Sequence, residues 1–440
     1  MNIFESFRDM GDSAPRLYVI ATGAGAGLQE KVWRVPGCSN FFVGAAFPYA
    51  TEETQDVLGF TPKQFVSQET AIDLALAAYM RAYKPGRSAI GVGLTASVAS
   101  TKAHRGDHRV IVAAFTDHDC IVISAILHKG VGDAQRQLDG QLADRIAMYA
   151  IRAISGVGTA QAGIEWHFIE RELRGECSEF ATEITVIGAM DHARARILAH
   201  PYFRADGTRG TLEDIDPKKT MFFPGSFRPF HEGHLRSGEA CLVALRRNLY
   251  WVDGPNHTQL SEDAAHANLI YVTTVDPVHK EKLSPADMLQ RAVGMKGRDF
   301  LLSEGDPLYI QKARKFPGCR FAVGADTMDR MLDPSWGVTT EDLVREFHSL
   351  GVRFFVPSRL VGDRFLRCQD IIREKKEALP KIDINIGETW ADTWAGMSEA
   401  KRDEYRAWLY MSRVNGMFVE VDFRMDISST ELRAKAASST

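Results

Sequence analysis

The chain has 440 residues, of which 45% are hydrophobic and 25% charged, and its formal net charge is −4. This length exceeds what one hydrophobic core usually organises, so two domains are expected. The balanced charge gives no indication of nucleic-acid binding, and six cysteines without a CxxC pair argue against a disulfide scaffold or a zinc site.

The N-terminal segment carries Glu5, Asp9 and Asp12 and has no apolar stretch typical of a secretion signal. No window of the sequence approaches the ~18 apolar residues of a membrane span. We therefore expect a cytoplasmic protein without a membrane partner, and the three acidic residues argue against a transit peptide.

The first half of the chain alternates strand-like and helical runs. Strand-like runs fall at residues 17–22, 41–49, 89–94, 109–115 and 120–127, and helical runs at residues 71–82 and 133–155. This alternation predicts an α/β layer domain over residues 15–175. The pattern breaks over residues 176–218, which contain the turn signals Asp206-Gly207 and Asp216-Pro217, so this segment is predicted to be a junction.

Two segments of the first half carry recognisable motifs. They are residues 35–44 (Val-Pro-Gly-Cys-Ser-Asn-Phe-Phe-Val-Gly), followed by Tyr49, and residues 66–71 (Val-Ser-Gln-Glu-Thr-Ala). Both resemble the CinA C-terminal family of nicotinamide-nucleotide amidases. The resemblance implies that Gly23, in a glycine-rich loop, takes the place of the serine nucleophile and that Thr54 falls near the family's lysine. We therefore predict no working amidase; the loop either still binds a phosphate or nucleotide, or the domain is structural.

The second half has the pattern of a doubly wound parallel sheet. Short strands at residues 221–223, 269–273, 320–323, 353–356 and 417–421 are separated by helical runs, which predicts a Rossmann-like domain over residues 219–440. In such sheets, ligands gather at the carboxyl ends of the strands. A tryptophan-containing stretch at residues 373–410 is predicted to be a helical insertion whose role stays open.

Residues 222–235 (Phe-Phe-Pro-Gly-Ser-Phe-Arg-Pro-Phe-His-Glu-Gly-His-Leu) are the most informative segment of the chain. A strand ends at a Gly-Ser turn, a glycine lies between two histidines, and a helix-prone run follows over residues 235–248. This order directs backbone N–H groups and the positive end of a helix dipole towards a phosphate. Near the C-terminus, residues 427–433 (Ile-Ser-Ser-Thr-Glu-Leu-Arg) form a second motif that also reads as a capping box.

Together these two motifs resemble the HxGH and ISSTxxR signatures of the nucleotidylyltransferase superfamily, which includes the nicotinamide mononucleotide adenylyltransferases. The resemblance implies that His231, His234 and Arg433 are catalytic and that ATP is bound by Gly225, Ser226, Phe227, Gly233, Ser428, Ser429, Thr430 and Arg359. We expect Mg²⁺ to be held mainly by the substrate phosphates, because this hard ion keeps waters and needs few protein ligands. The hypothesis requires His234 and Arg433 to reach one triphosphate. The alternatives are two core histidines or, less in keeping with the spacing, a zinc pair.

A third segment concerns the acceptor. Residues 321–327 (Phe-Ala-Val-Gly-Ala-Asp-Thr), followed by Asp333-Pro334-Ser335-Trp336, resemble the Gly-Ala-Asp…Pro…Trp segment of the nicotinamide mononucleotide adenylyltransferases. The resemblance implies acceptor binding by Gly324, Asp326 and Trp336, with Lys280 and Arg291 as weaker candidates. Trp336 could equally be a packing residue and Asp326 a helix cap.

The sequence thus predicts an enzyme that binds ATP and a small phosphorylated acceptor, transferring an adenylyl group to nicotinamide or nicotinate mononucleotide with release of pyrophosphate. Three alternatives stay open: a cytidylyltransferase, a pantetheine-phosphate-type adenylyltransferase, and a non-catalytic nucleotide sensor. Self-association into a homo-oligomer also stays open.

Overall fold

Two compact units make up the chain. The computed structural model describes residues 2–103, 105–156, 171–173, 181–246, 264–278, 280–333, 339–361, 364–375, 396–402 and 417–425. The first unit comprises Met1–Leu212 and Leu283–Gly297, and the second comprises Glu213–Lys282 and Arg298–Thr440. Each unit is built on a β-sheet with packed helices, so the predicted two-domain α/β class is confirmed.

The described helices of the first unit are α1 (Ile3–Met10), α2 (Gly27–Trp33), α3 (Thr51–Leu58), α4 (Gln68–Ala82), α5 (Gly132–Ser155), α6 (Met190–Ala199) and α8 (Pro285–Gly294). Its strands are β1 (Arg16–Thr22), β2 (Phe42–Ala46), β3 (Ala89–Ser97), β4 (Arg109–Phe115), β5 (Cys120–Leu127), β6 (Ala181–Gly188), β7 (Tyr202–Phe203) and β8 (Arg209–Gly210). The segment predicted as a junction therefore contains β6, α6, β7 and β8. The first unit also takes up α8 from much later in the sequence.

The main sheet of the first unit has the order β2-β1-β3-β4-β5-β6. Strand β1 pairs in parallel with β2 and β3, whereas β3, β4, β5 and β6 pair antiparallel. Helix α5 buries Leu142 and Ile146 against one face, in a cluster that includes Val112. Helix α4 buries Leu74 and Ala78 with Ile20 in a second cluster. Burial of these apolar side chains is the main favourable contribution to the unit's stability.

Helix α4 lies unusually close to the sheet because β3 carries two glycines. A Cβ at Gly91 would meet the backbone of Tyr79 and Ala75 at 2.2 Å, and one at Gly93 would meet the Ala71 carbonyl oxygen at 2.2 Å. No side chain fits at either position without moving α4. The glycine alternation in this strand therefore sets the helix-to-sheet distance.

A buried charge cluster joins α4 to α6 and β8. The carboxylate of Asp73, with 1% of its side chain exposed, accepts hydrogen bonds from Arg196 Nη2 at 2.6 Å and from Arg209 Nη2 at 2.7 Å. The guanidinium of Arg209 also lies over the Phe60 ring, which stacks on His200 at 3.5 Å between centroids. Because Arg209 is itself only 2% exposed, Asp73 neutralises a charge that water cannot reach.

The described helices of the second unit are α7 (Glu232–Arg246), α9 (Tyr309–Lys315), α10 (Ala325–Met331), α11 (Thr340–Ser349) and α12 (Cys368–Glu374). Its strands are β9 (Thr220–Pro224), β10 (Asn268–Thr274), β11 (Asp299–Ser303), β12 (Arg320–Ala322), β13 (Arg353–Val361), β14 (Arg364–Leu366) and β15 (Phe418–Met425). These strands are ordered β14-β13-β12-β9-β10-β11, with β15 also pairing β13. Strands β9 and β10, β10 and β11, β9 and β12, β12 and β13, and β13 and β15 pair in parallel, whereas β13 and β14 pair antiparallel.

This order is that of a doubly wound sheet. From β9 the chain proceeds to β10 and β11 on one side, then returns to β12 and β13 on the other. Phe222 and Phe321 pack with Phe316 and Phe354 on one face, and Phe223 and Tyr271 form an aromatic cluster on the other. Among the described helices, none combines the length and apolarity that crossing a bilayer requires.

Candidate functional site

The candidate site lies where the direction of winding reverses, between β9 and β12. These strands are parallel neighbours, with Met221 opposite Arg320 and Phe222 opposite Phe321. Beyond their ends the backbones separate: the Gly225 N–H donates to Val272 of β10, and the Val323 N–H donates to Phe355 of β13. Such a divergence opens a crevice at the carboxyl edge of the sheet, the usual ligand position in this architecture. The two sequence motifs, at residues 222–235 and 321–327, therefore follow neighbouring strand ends, where this architecture usually binds its ligand.

The helix α7 begins in this crevice with two hydrogen bonds between the two histidines. The His231 carbonyl oxygen accepts the His234 N–H at 2.9 Å, and the His231 N–H donates to His234 Nδ1 at 3.3 Å. The second of these hydrogen bonds is one half of a capping box, with histidine in the position usually held by glutamate, whereas the first is an ordinary backbone turn. Because Nδ1 accepts this hydrogen bond, the neutral His234 imidazole carries its proton on Nε2. Nε2 is thereby set as a hydrogen-bond donor.

The His234 ring is surrounded by other rings. His231 stacks on it with centroids 3.7 Å apart and planes at 28°, and Phe230 stacks at 5.6 Å and 27°. Phe227 and Phe223 meet it edge-on at 5.0 Å and 6.3 Å. This packing restricts rotation of the imidazole about its side-chain torsions.

Phe227 anchors the loop between β9 and α7. Its backbone is left-handed, with φ of 46°, and its side chain is buried among Phe223, Phe230, His234 and Tyr271. A Cβ added to Gly225 would lie 2.7 Å from the Phe227 ring. The buried ring thus offsets the strain of the positive φ, and the bare glycine makes room for the ring. Phe227, predicted to bind ATP, can offer only its backbone to a nucleotide.

The end of strand β10 supports the loop between β9 and α7 through a hydrogen bond. Thr273, buried on β10, donates its hydroxyl to the Gly225 carbonyl oxygen at 2.9 Å. The next residue, Thr274, accepts a hydrogen bond from the Lys312 ammonium at 3.0 Å, and Lys312 also contacts the buried Asp306. Burial lowers the pKa of Lys312, while the Asp306 carboxylate opposes that shift. No signal in the sequence indicates Thr273, Thr274 and Lys312, because the contacts of Thr273 with Gly225 and of Lys312 with Thr274 span 48 and 38 residues.

On the β12 side, Gly324 and Asp326 open α10. A Cβ at Gly324 would meet Asp326 Oδ1 at 2.9 Å, so the carboxylate lies directly over the glycine. Asp326 Oδ2 lies 3.5 Å from Arg330 one turn later. The structure therefore brings these two predicted acceptor residues together at the crevice.

A cavity of about 220 Å³ lies beside Asp326, where α9, α10 and α11 meet. Its apolar wall includes Leu308, Tyr309, Met331, Leu343 and Phe347, and Arg330 supplies a cationic side chain. Ligand sites typically have this mixture of an apolar wall and a few polar groups.

The remaining predicted site residues are distributed as follows. Ser428, Ser429, Thr430, Arg433 and Trp336 lie outside the described residues, as does the side chain of Arg359 on β13. Lys280 is exposed in the segment that follows β10. Ser226 is exposed and Gly233 is buried in the first turn of α7. Arg291 lies on α8 in the first unit, where its guanidinium donates to the Asp287 carbonyl oxygen at 3.0 Å. The roles assigned to all these residues stay predictions.

The glycine-rich loop of the first unit is tightly occupied by the protein itself. Gly23 has φ of 81°, and a Cβ there would meet the Ala96 carbonyl oxygen at 2.2 Å, so a serine does not fit without a backbone shift. Gly27 abuts Asp144, whose carboxylate accepts the Leu28 N–H and bonds Lys31 Nζ at 2.7 Å. Burial raises the pKa of Asp144. A carboxylate thus already lies at the start of α2, which favours the structural alternative for this loop over a phosphate site.

Within the described part of the chain, no group of three or more histidine, cysteine, aspartate or glutamate side chains is arranged to hold a metal ion. Mg²⁺ carried on substrate phosphates requires no such group, so that cofactor stays a prediction.

No family model matches the chain, and no curated protein matches it. Among solved structures, a competence-damaged protein (CinA) superfamily protein from Escherichia coli is 13% identical, with a TM-score of 0.28, over 34% of this chain and 87% of its own. The competence damage-inducible protein A from Klebsiella pneumoniae is 13% identical, with a TM-score of 0.28, over 36% of this chain and 98% of its own. A competence or damage-inducible protein from Enterobacter asburiae is 14% identical, with a TM-score of 0.27, over 34% of this chain and 95% of its own. At such identities and scores these remain likenesses, from which no activity follows.

Proposed function

We propose that the second unit is a nucleotidyltransferase that moves an adenylyl group from ATP to nicotinamide or nicotinate mononucleotide. An oxygen of the acceptor phosphate attacks the α-phosphorus of ATP, the bond from that phosphorus to the bridging oxygen breaks, and pyrophosphate leaves. No oxidation or reduction is involved. Such a reaction needs positioning and neutralisation of charge more than covalent help from the protein.

The observation that carries the proposal is that two loops follow the carboxyl ends of neighbouring parallel strands. The loop after β9 brings His231, His234 and the start of α7, and the loop after β12 brings Gly324 and Asp326. A helix start supports a phosphate through its free N–H groups and roughly half a positive charge of dipole. The Nε2 proton of His234 adds a donor for charge that develops on the phosphate oxygens.

The cavity beside Asp326 supports a flat acceptor group. Its apolar wall suits a planar ring, and Thr327, which lines it, lies about one helical turn, or roughly 5 Å, from Gly324 at the crevice. A ribose and phosphate span a comparable distance, so the ring of a mononucleotide could lie in the cavity while its phosphate reaches the crevice. Asp326 is then placed for the ribose hydroxyls.

The test uses the full chain with MgATP and either pyridine mononucleotide, and measures release of pyrophosphate. His234→Asn removes Nε2 but offers an oxygen near the position of Nδ1, so the helix cap is kept while the donor is lost. We expect its rate to fall about 10²- to 10³-fold with little loss of stability. His118→Ala, which removes an imidazole that is 88% exposed in the first unit, is the control and should leave the rate unchanged.

Other outcomes would redirect the assignment. Turnover only with CTP and a phospho-alcohol would indicate a cytidylyltransferase, and turnover with phosphopantetheine would indicate the pantetheine-type enzyme. MgATP binding that is lost in His234→Asn, without turnover of any pair, would indicate a sensor. The proposal fails outright if no pair reacts and MgATP binding does not depend on His234. Arg433→Ala tests separately whether the C-terminal motif contributes to the same triphosphate.

A further inference from the structure

A stack of four groups runs through the candidate site, and two of its members have no assigned role. The guanidinium of Arg298, just before β11, lies 5.0 Å from the centroid of the Phe230 ring. Phe230 stacks on His234 at 27°, and His234 stacks on His231 at 28°. We call Arg298, Phe230, His234 and His231 the ring stack.

We propose that Phe230 and Arg298 are positioning residues that fix the His234 imidazole for nucleotidyl transfer. This inference rests on the proposed function. A histidine side chain has two torsions, and the 3.3 Å hydrogen bond at Nδ1 constrains one edge of the ring rather than its plane. A nearly parallel neighbouring ring restricts that plane directly.

The spacing in the sequence explains how Phe230 reaches this position. Phe230 precedes the helix and His234 lies in its first turn, so the four-residue interval brings their side chains together as the chain enters α7. Tyr271 meets Phe230 edge-on at 5.1 Å and closes another side of the ring. Phe230 is therefore held between the sheet, the helix start and Arg298.

Arg298 contributes from outside the loop. A cation beside an aromatic face is attracted to the ring quadrupole, so Arg298 helps to hold Phe230 in place. Its half-buried position leaves the guanidinium partly hydrated, which makes its contribution smaller than that of the Phe230 ring. Positioning of this kind matters because reacting groups must be held within about 0.5 Å and 10–20°.

The first arm of the test is kinetic. We expect Phe230→Leu to lower kcat about 10- to 30-fold while the KM for ATP changes less than about threefold, and Phe230→Tyr to restore most of the rate. Arg298→Gln should lower kcat about two- to fivefold. Phe316→Leu removes a similar ring from the opposite face of the sheet and should reduce stability but not kcat.

The second arm is a double-mutant cycle with His234→Asn. If Phe230 acts through His234, Phe230→Leu should have almost no further effect in the His234→Asn background. An equal loss in both backgrounds, or an unchanged kcat in Phe230→Leu, would overturn the inference.

The third arm does not depend on catalysis. In protein labelled with ¹⁵N-histidine, the His234 signals should report the Nε2–H tautomer in the wild type and a mixture of tautomers in Phe230→Leu. If the wild type turns over no substrate pair, the proposed function fails while this readout still decides the positioning role. An unaltered His234 spectrum in Phe230→Leu would reject it in either case.

Discussion

Gly225→Ala tests the packing that shapes the loop between β9 and α7. The new Cβ would lie 2.7 Å from Cε1 and Cζ of Phe227, whereas ordinary contact begins at 3.4 Å, so the ring must move by about 0.7 Å. Four neighbouring rings oppose that movement. Overpacking of this kind costs about 1–3 kcal/mol of unfolding free energy. Because the ring meets His234 edge-on, we also expect kcat to fall about 10- to 100-fold.

The decisive comparison repeats the change in Phe227→Ala. There the obstacle is gone and Gly225 has no positive φ, so Gly225→Ala should be neutral or stabilise by about 0.4–1 kcal/mol through the unfolded chain. Hydrogen exchange of peptides covering β9 and α7 in the full chain measures the change in unfolding free energy caused by Gly225→Ala in each background. Gly188→Ala, with open space around its Cβ, is the control. Equal costs with and without the Phe227 ring would refute the reasoning, and Phe227→Leu serves if Phe227→Ala does not fold.

Three further predictions concern stability. Asp73→Ala should weaken the first unit by about 3–5 kcal/mol, because Arg209 stays buried without its counter-charge; exchange in α4 and α6 measures this, and Glu30→Ala, at the exposed pair with Arg34, should change it little. Gly93→Ala should strongly destabilise the packing of α4 on β3, because the new Cβ would collide with the Ala71 carbonyl oxygen. Gly188→Ala should cause no such loss, and thermal unfolding of the two variants measures the difference. The hydrogen bond from Arg314 holds the pKa of Glu346 below its usual value. The wild type should therefore be more stable than Glu346→Gln at pH values above the pKa that Glu346 has in the unfolded chain. This difference in stability should disappear as the pH falls through the pKa of Glu346 in the folded protein, and it should shrink as salt is added.

The sequence predicts some elements closely for identifiable reasons. Strands β4 and β5 fall on the predicted residues 109–115 and 120–127, because both are continuous apolar runs bounded by polar turns. Strand β11 was not predicted, because its three apolar residues, Phe300-Leu301-Leu302, do not by themselves distinguish a strand from a helix. Strand β6 falls in the segment predicted to be a junction, because the polar residues Thr182, Glu183 and Thr185 interrupt its apolar pattern.

Some residues of the candidate site could likewise be predicted from the sequence, and others could not. The glycines and histidines around Gly225 and His234 could be predicted as candidates because they form a motif along one short segment, and their roles stay predictions. Arg298, Thr273 and Lys312 could not be identified, because their contacts are made between strands and helices far apart in sequence. The contact between Phe230 and His234 could have been predicted, because the two aromatic side chains are four residues apart at the start of a helix. Attention to the two histidines of the motif left Phe230 without a predicted role.

The return of the chain to the first unit at Leu283–Gly297 has a consequence for cutting the protein into pieces. Helix α8 contacts α6, and Arg194 donates to the Leu283 carbonyl oxygen at 2.7 Å. It buries Met288, Leu289 and Ala292. A fragment that starts near residue 213 would carry this helix without the surface that covers it and would present those side chains to water, inviting aggregation. Excising residues 283–297 together with the first half, and bridging the gap with a short flexible linker, is the more rational design for a separate second unit.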